Sequence, residues 1–205
     1  MVVIVDYKAG NLTSVKRALD YLQVESEITN QRDRLLAADR VIFPGVGAAA
    51  EAMGNLRDSG LDNAIRDFIA AGKPFLGICI GYQLLFDRSE ENDNTTCLGI
   101  LSGEVVRFPR DETGGLKIPQ MGWNNVKFLY PHPVWDGLPP GSEFYFVHAY
   151  YPTPATDKDI CATTEYGLEY ASGVAKNNVV AFQFHPEKSG RPGLQLLENF
   201  CHWTV

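Results

Sequence analysis

A cysteine framed by two glycines is the feature that most constrains how this chain folds. The pentapeptide Gly77–Gly81 has Cys79 at its centre, follows the apolar run 74–76, and precedes the stretch 82–86, which has the composition of a helix. A strand, a sharp turn and a helix in this order form a nucleophile elbow. The flanking glycines leave room for a strained backbone at the central residue. We therefore expect the Cys79 side chain to project from the end of a strand.

The cysteine motif alone leaves two interpretations open. Free cysteine is among the most buried residue types, so an isolated motif could equally mark a packing residue at the end of a core strand. A candidate base favours the catalytic interpretation: His185 follows the apolar run 178–182, and Glu187 lies two positions later. These residue types suit a nucleophile, a proton acceptor and a carboxylate that orients the imidazole. We predict a triad of Cys79, His185 and Glu187, in which the imidazole generates the thiolate.

The glycine-rich stretch 44–47 is the second candidate for the same chemistry. Attack on a carbonyl creates a charged oxygen, which requires N–H donors that are already in place. The amide of Ile80, directly after the cysteine, is one natural donor. The other is expected from Val46 or Gly47, because the glycines of this stretch allow the backbone to turn an N–H toward the site. A plain tight turn is the alternative interpretation.

The order of apolar runs predicts the fold class. The run 2–5 is continuous, as in a strand buried on both faces, and the run 40–43 is similar. Apolar residues at helical spacing mark 12–22 and 61–69. This alternation predicts an α/β fold with a mainly parallel central sheet flanked by helices. Shorter alternating runs after about residue 98 predict an additional antiparallel or mixed strand region, before a last helix that begins near Pro192.

Length and composition exclude several classes of function. The chain has 205 residues, which suits a single domain over 1–205. A net charge of −7 argues against nucleic-acid binding. We also expect no membrane partner and a cytoplasmic protein, because no apolar run could span a bilayer and no signal peptide precedes the first strand. The four cysteines are irregularly spaced, which favours free thiols, and paired ligand spacings are absent, so we expect no metal.

Three motifs together resemble the class I (triad) glutamine amidotransferases. They are Pro44–Gly47, Gly77–Gln83 and Phe184–Glu187, in the order and spacing of that family, and the resemblance extends over nearly the whole chain. It implies a flavodoxin-like α/β fold and hydrolysis of L-glutamine to glutamate and ammonia through a thioester. It implies no cofactor.

The resemblance also suggests how the substrate is held. It implies that Gln83 and Glu91 bind the amino-acid end of glutamine, with backbone groups from Ala149 and Tyr150. For Glu91 the alternative is a surface acid, since it lies in the polar run 89–93.

Four stretches are more similar to the glutaminase subunits of imidazole glycerol phosphate synthase. They are Asp6–Leu12, Pro119–Asn124, Tyr145–Tyr151 and His185–Ser189. This likeness implies a heterodimer with a (β/α)8-barrel cyclase subunit, which receives the ammonia and makes imidazole glycerol phosphate and an aminoimidazole carboxamide ribotide in histidine biosynthesis. The implied interface residues are Asn11, Trp123, Tyr145 and Lys188. A glutaminase subunit for anthranilate, pyridoxal phosphate or GMP synthesis is the alternative.

Four positions depart from the family's usual pattern. Lys8 stands where the first motif has glycine, Ala149 where serine or threonine is usual, and Tyr82 where methionine is frequent. The stretch after Gly47 also lacks the aromatic residue that is usual near Ala49. None of these departures removes a member of the predicted triad.

Overall fold

A computed structural model describes the chain over residues 1–8, 11–109 and 115–205. Ala9 and Gly10, which belong to the first of the four similar stretches, lie outside the described residues. The helices are α1 (Leu12–Tyr21), α2 (Arg32–Ala37), α3 (Ala49–Ser59), α4 (Leu61–Ala70), α5 (Ile80–Gln83), α6 (Glu91–Asn94) and α7 (Gly190–His202). The strands are β1 (Val2–Val5), β2 (Ser26–Thr29), β3 (Arg40–Gly45), β4 (Phe75–Cys79), β5 (Arg88–Ser89), β6 (Thr95–Thr96), β7 (Gly103–Arg107), β8 (Gln120–Asn125), β9 (Lys127–Phe128), β10 (Glu143–His148), β11 (Tyr150–Pro154), β12 (Ile160–Glu165), β13 (Glu169–Lys176) and β14 (Val179–Phe182).

A central sheet of eight strands organises the molecule. Its strand order is β2-β1-β3-β4-β14-β13-β12-β9. The first five strands of this order are parallel, and β13, β12 and β9 extend the sheet antiparallel. The mainly parallel sheet and the antiparallel region predicted from the sequence are therefore both present. Two smaller sheets, β10-β8 and β11-β7-β5-β6, complete the strand region.

The inner strands β1, β3, β4 and β14 of the central sheet are buried on both faces. One apolar cluster packs α2, α3 and α4 against it and includes Phe43 and Phe75, while the other packs α1 and α7 and includes Phe182. Strands covered on both sides must be apolar throughout, which explains the continuous run in β1. Within the described part of the chain, no helix is both long and apolar enough to cross a membrane.

Two elements around the cysteine differ from the sequence prediction. The strand β3 continues through Gly45, which pairs with Cys79, so the loop begins only at Val46. The helix after Cys79 is a single turn, so the predicted helix over 82–86 is present only at Tyr82 and Gln83. The helix ends early because the carbonyls of residues 84–86 accept hydrogen bonds from the amides of residues 98–101. They are therefore not available to continue the helix.

Two of the departures from the family pattern have structural consequences. Lys8 has φ of +64°, a conformation that favours glycine, so the lysine carries backbone strain that the usual residue avoids. Tyr82 is fully buried, and its hydroxyl donates to the Ala171 carbonyl at 3.3 Å.

Candidate active site

Cys79 occupies the strained turn expected of a nucleophile. It ends β4 and precedes α5, with φ of +54° and ψ of −109°. This backbone lies in the positive-φ region that non-glycine residues rarely adopt, and such strain persists only where the surroundings enforce it. The next turn lies close to β3, since a Cβ at Gly81 would be 1.8 Å from the Phe43 carbonyl oxygen. The glycine therefore allows α5 to approach β3 closely.

His185 and Glu187 form a buried pair beside the cysteine. The His185 Nδ1 atom lies 2.8 Å from Glu187 Oε1, and both side chains are 1% exposed. A carboxylate oxygen can only accept, so Nδ1 carries the proton and Nε2 faces away from Glu187. Among the described residues, Nε2 has no well-formed hydrogen-bond partner. It is therefore available to exchange a proton with a reacting group.

The charges around His185 favour its protonated form. Burial lowers its pKa, but the negative charge of Cys79 and the bond to Glu187 outweigh burial and raise the pKa to about 10. Because His185 Nε2 lacks a well-aligned partner in the described chain, we attribute the effect of Cys79 to its charge at short range. An imidazolium next to a thiolate is the arrangement that nucleophilic catalysis by cysteine requires.

The predicted site residues meet around one cavity of about 200 Å³. Its walls include the proposed nucleophile, the proposed base and the loop after β3. They also include the residues that the family resemblance implies in substrate binding. The lining residues are Val46, Gly47, Cys79, Ile80, Gln83, Glu91, Val147, His148, Ala149, Tyr150 and His185. Glu187 stands behind His185 and does not line this cavity. A larger groove of about 710 Å³ beside β9 contains none of these residues.

Glu91 turns toward the cavity rather than toward solvent. Its Oε2 accepts a hydrogen bond from the Ala49 amide at 2.7 Å, at the N-terminus of α3. This contact fixes the end of the loop 46–48 that contains the expected oxyanion donors. Gly47 in that loop has φ of +100° and no neighbour that would obstruct a Cβ, so its conformation rather than lack of space requires glycine.

His148 is held neutral by its neighbours. Burial lowers its pKa to about 4; the charge on His185 adds to this effect and a bond to the Tyr150 carbonyl opposes it. The ring nitrogens lie 2.8 Å from that carbonyl and 3.2 Å from the Tyr170 hydroxyl. Since Gln83 Nε2 also donates to the Tyr150 carbonyl, at 2.9 Å, both lone pairs of this oxygen are engaged. Any backbone group that Tyr150 offers to a substrate is therefore its N–H.

Three of the four predicted interface residues form a cluster on the surface. Trp123 on β8 is 54% exposed, and its ring lies 6.3 Å from that of Tyr145 on β10. The Lys188 Nζ atom lies 5.9 Å from the centre of the Tyr145 ring, within range of a cation–π contact. Asn11 precedes α1, and its side chain makes no capping bond to that helix.

Sequence reasoning missed two buried residues next to Cys79. Gln183 donates to the Cys79 sulfur, with Nε2 and Sγ 3.7 Å apart. The Tyr7 hydroxyl is buried without a partner among the described residues, and burial together with the charge of Cys79 raises its pKa. A polar residue directly after the apolar run 178–182 was the available signal for Gln183. Tyr7 gave no signal, because a tyrosine after a core strand is ordinary packing.

Comparison with known proteins identifies the family of the chain. The family model described as glutamine amidotransferase class-I matches residues 3–203. A relative from Dehalococcoides mccartyi, named imidazole glycerol phosphate synthase subunit HisH, is 50% identical over 98% of this chain and 96% of its own length. The HisH subunit of Methylococcus capsulatus is 49% identical, with the same coverage of both chains. The chain belongs to the class I glutamine amidotransferases, among the HisH subunits.

A solved structure supports the fold independently. The crystal structure of a glutamine amidotransferase matches 98% of this chain and 99% of its own, with a TM-score of 0.75 at 22% sequence identity. The resemblance read from the motifs is therefore confirmed for both family and fold. The relatives also decide between the synthases left open by the sequence, in favour of the HisH group.

Proposed function

We propose that residues 1–205 form one glutaminase domain, in which Cys79, His185 and Glu187 hydrolyse the side-chain amide of L-glutamine. The observation that carries this proposal is the buried pair of His185 and Glu187, in which His185 Nε2 has no well-formed partner in the described part of the chain and faces the same cavity as a cysteine at a strained turn. All three residues are pre-arranged by adjacent strands, so no large movement is needed to assemble the nucleophile with its base.

The inferred reaction has two stages. The Cys79 thiolate attacks the carbonyl carbon of the glutamine side chain, and the carbonyl electron pair moves onto oxygen. His185 gives its Nε2 proton to the nitrogen, ammonia leaves, and a thioester remains on Cys79. His185 then takes a proton from water, the hydroxide attacks the thioester, and the thiolate departs as glutamate forms. Glu187 holds the imidazole in the required tautomer throughout.

The charged oxygen of both tetrahedral intermediates requires donors. The amide of Ile80 lies in the first turn of α5, where backbone N–H groups have no partner within the helix. The second donor is an amide of Val46 or Gly47, in the loop that lines the same cavity. Loss of one such donor typically costs about 3–4 kcal/mol of transition-state stabilisation.

The amino-acid end of glutamine is held at the opposite wall of the cavity. The carboxylate of Glu91 attracts the α-ammonium group, while Gln83 and the N–H groups of Ala149 and Tyr150 contact the polar end of the substrate. An amino acid with a side chain shorter than that of glutamine could not reach both ends of the cavity. Either its ammonium group would miss Glu91 or its carbonyl carbon would miss Cys79. The cavity therefore selects by length as well as by charge.

The ammonia is used by a second subunit. Free ammonia becomes protonated in neutral water and loses its nucleophilicity, so direct transfer to a partner is advantageous. The partner is the (β/α)8-barrel cyclase subunit of imidazole glycerol phosphate synthase in histidine biosynthesis, and it docks at Asn11, Trp123, Tyr145 and Lys188. Trp123 is an exposed aromatic residue whose ring lies against that of Tyr145, which suits a docking surface.

The free thiols support a cytoplasmic location. All four cysteines of the chain are free, and three of them, Cys79, Cys97 and Cys161, are buried. Free thiols persist in a reducing compartment. We therefore place the enzyme in the cytoplasm.

Ammonia release by Cys79→Ala tests the proposal. The variant should assemble with the cyclase subunit, but its ammonia release from glutamine should fall to the background rate because no thioester can form. Cys201→Ala serves as the matched control, since Cys201 lies on α7, away from the cavity, and should retain activity. Ammonia release by Cys79→Ala at the rate of the unmodified enzyme would disprove the assignment.

A further inference from the structure

Gln183 is the polar contact of the Cys79 sulfur that the mechanism above does not use. Its side chain is fully buried, and its backbone amide donates to the Ser172 carbonyl at 2.9 Å, which fixes its place after β14. The Gln183 Nε2 atom lies 3.7 Å from Cys79 Sγ, a distance suited to the large radius of sulfur. Glutamine is costly to bury unless its amide is satisfied.

The orientation of this amide follows from a chain of bonds that begins at a backbone carbonyl. The Tyr150 carbonyl can only accept, so the Gln83 atom 2.9 Å away must be the donor Nε2. The second hydrogen of this NH2 group points at the Gln183 oxygen, also 2.9 Å away. The Gln183 oxygen is therefore turned to Gln83, and its NH2 group is turned to the Cys79 sulfur. The exchange of oxygen and nitrogen at either amide would place two acceptors or two donors face to face.

We propose that Gln183 is a catalytic residue whose amide donates a hydrogen bond to the Cys79 thiolate. This inference rests on the proposed function only in taking Cys79 as the nucleophile. A hydrogen bond to a charged acceptor is about twice as strong as one between neutral groups. Unlike His185, the amide is neutral and keeps its hydrogens at every working pH. It supports the thiolate before attack and again when sulfur leaves the thioester, at the moment when His185 has changed its protonation.

The rate at which iodoacetamide alkylates Cys79 measures this bond without any glutamine. Gln183→Met and Gln183→Leu fill a similar volume with an apolar side chain but lack the N–H donor. The Cys79 alkylation rate at pH 7 should therefore fall roughly tenfold. The pH profile should move to higher pH by about one unit. Mass spectrometry of the Cys79 peptide separates this thiol from the other cysteines. Gln195→Met is the matched control, because Gln195 donates to the Asp136 carbonyl at 3.3 Å and does not line the cavity.

A second measurement uses the protein without substitution at Gln183. In the NMR spectrum, the Gln183 side-chain NH2 signals should shift with pH along the same curve as the alkylation rate, and this shift should vanish in Cys79→Ala. Signals that do not respond to the Cys79 charge, or alkylation of folded Gln183→Met at the unmodified rate, would overturn the proposal. Either result leaves the glutaminase function intact, whereas loss of that function alone would appear as absent ammonia release with normal alkylation.

Discussion

At the scale of single residues, His185 lies between two sources of negative charge. Its pKa of about 10 exceeds the ordinary value of 6.5 because the charge of Cys79 and the bond to Glu187 together outweigh burial. A raised folded-state pKa means that the imidazolium contributes stability that is fully present below pH 6.5 and is lost as the pH rises through about 10. The enzyme should therefore lose stability at alkaline rather than at mildly acidic pH through this group.

Cys79→Ala should lower the pKa of His185. The substitution removes the charge of Cys79, the largest of the influences that raise this pKa, while the bond to Glu187 remains. We expect a fall of roughly 1–3 pH units. NMR titration of the His185 ring in both proteins measures it. An unchanged His185 titration would show that the cysteine does not set this pKa.

At the scale of secondary-structure elements, the site depends on the register of three adjacent strands. Gly45 pairs with Cys79 across β3 and β4, and Phe182 pairs with Ile78 across β14 and β4. A slip by one residue would turn every side chain of the strand to the opposite face. The glycine at position 81 is part of the same arrangement, because it allows the one-turn helix α5 to lie against the backbone of β3.

Gly81→Ala and Gly54→Ala should have opposite effects on stability. A Cβ at Gly81 would overlap the Phe43 carbonyl oxygen, so we expect a loss of about 1–3 kcal/mol in the free energy of unfolding. Gly54 lies inside α3 with no atom within 4 Å of a new Cβ, so its replacement should add about 0.5–1 kcal/mol. Urea denaturation of both variants compares them. Equal stability would mean that the contact between α5 and β3 is not tight.

The sequence predicted the elements that carry a strong apolar pattern and missed those that lack one. The strands β1, β3 and β4 are continuous apolar runs, and the buried residues of α4 recur at helical spacing. The helix α3 was missed because its first half is rich in alanine, which gives no clear periodicity. The length of the one-turn helix α5 was overestimated. Its end depends on hydrogen bonds to residues 98–101, which lie too far along the chain to affect a local sequence pattern.

The candidate site shows the same limit. The cysteine, histidine and glutamate that the structure brings together each lie next to an apolar run, so their motifs could be found from the sequence; their catalytic roles stay predictions. The contact of Glu91 with the Ala49 amide joins residues 42 positions apart, and that of Gln183 with Cys79 joins residues 104 apart. No local pattern encodes such pairs, because they arise only when the sheet is assembled.

At the scale of the whole molecule, one surface lies directly behind the proposed base. Tyr145 and His185 are joined through the backbone, because the His185 amide donates to the Tyr145 carbonyl at 2.9 Å. The Ser189 hydroxyl adds a second link: it donates to the His185 carbonyl at 2.6 Å and accepts from the Tyr145 amide at 3.0 Å. The exposed cluster around Trp123 is thus connected to His185 by a main-chain hydrogen bond and by the Ser189 hydroxyl.

Trp123→Ala should weaken assembly with the barrel cyclase subunit. The side chain is exposed, so its loss should leave the isolated chain folded, while removal of an aromatic anchor typically costs about 2 kcal/mol or more of binding energy. Leu129→Ala is the control, because Leu129 is also exposed but lines the separate groove beside β9. Titration calorimetry measures both affinities, and the rise in glutamine turnover on adding the cyclase should need more cyclase for Trp123→Ala. Equal affinities would move the docking surface elsewhere.

The double link through Ser189 has a mechanical consequence. Lys188 lies only three positions after His185, and the Tyr145 ring belongs to a residue whose carbonyl accepts from the His185 amide. The patch is therefore joined directly to the His185 and Glu187 side of the predicted triad, whereas Cys79 stands apart from it, at the end of β4 in the middle of the sheet. We expect a bound partner to act on the imidazole rather than on the sulfur.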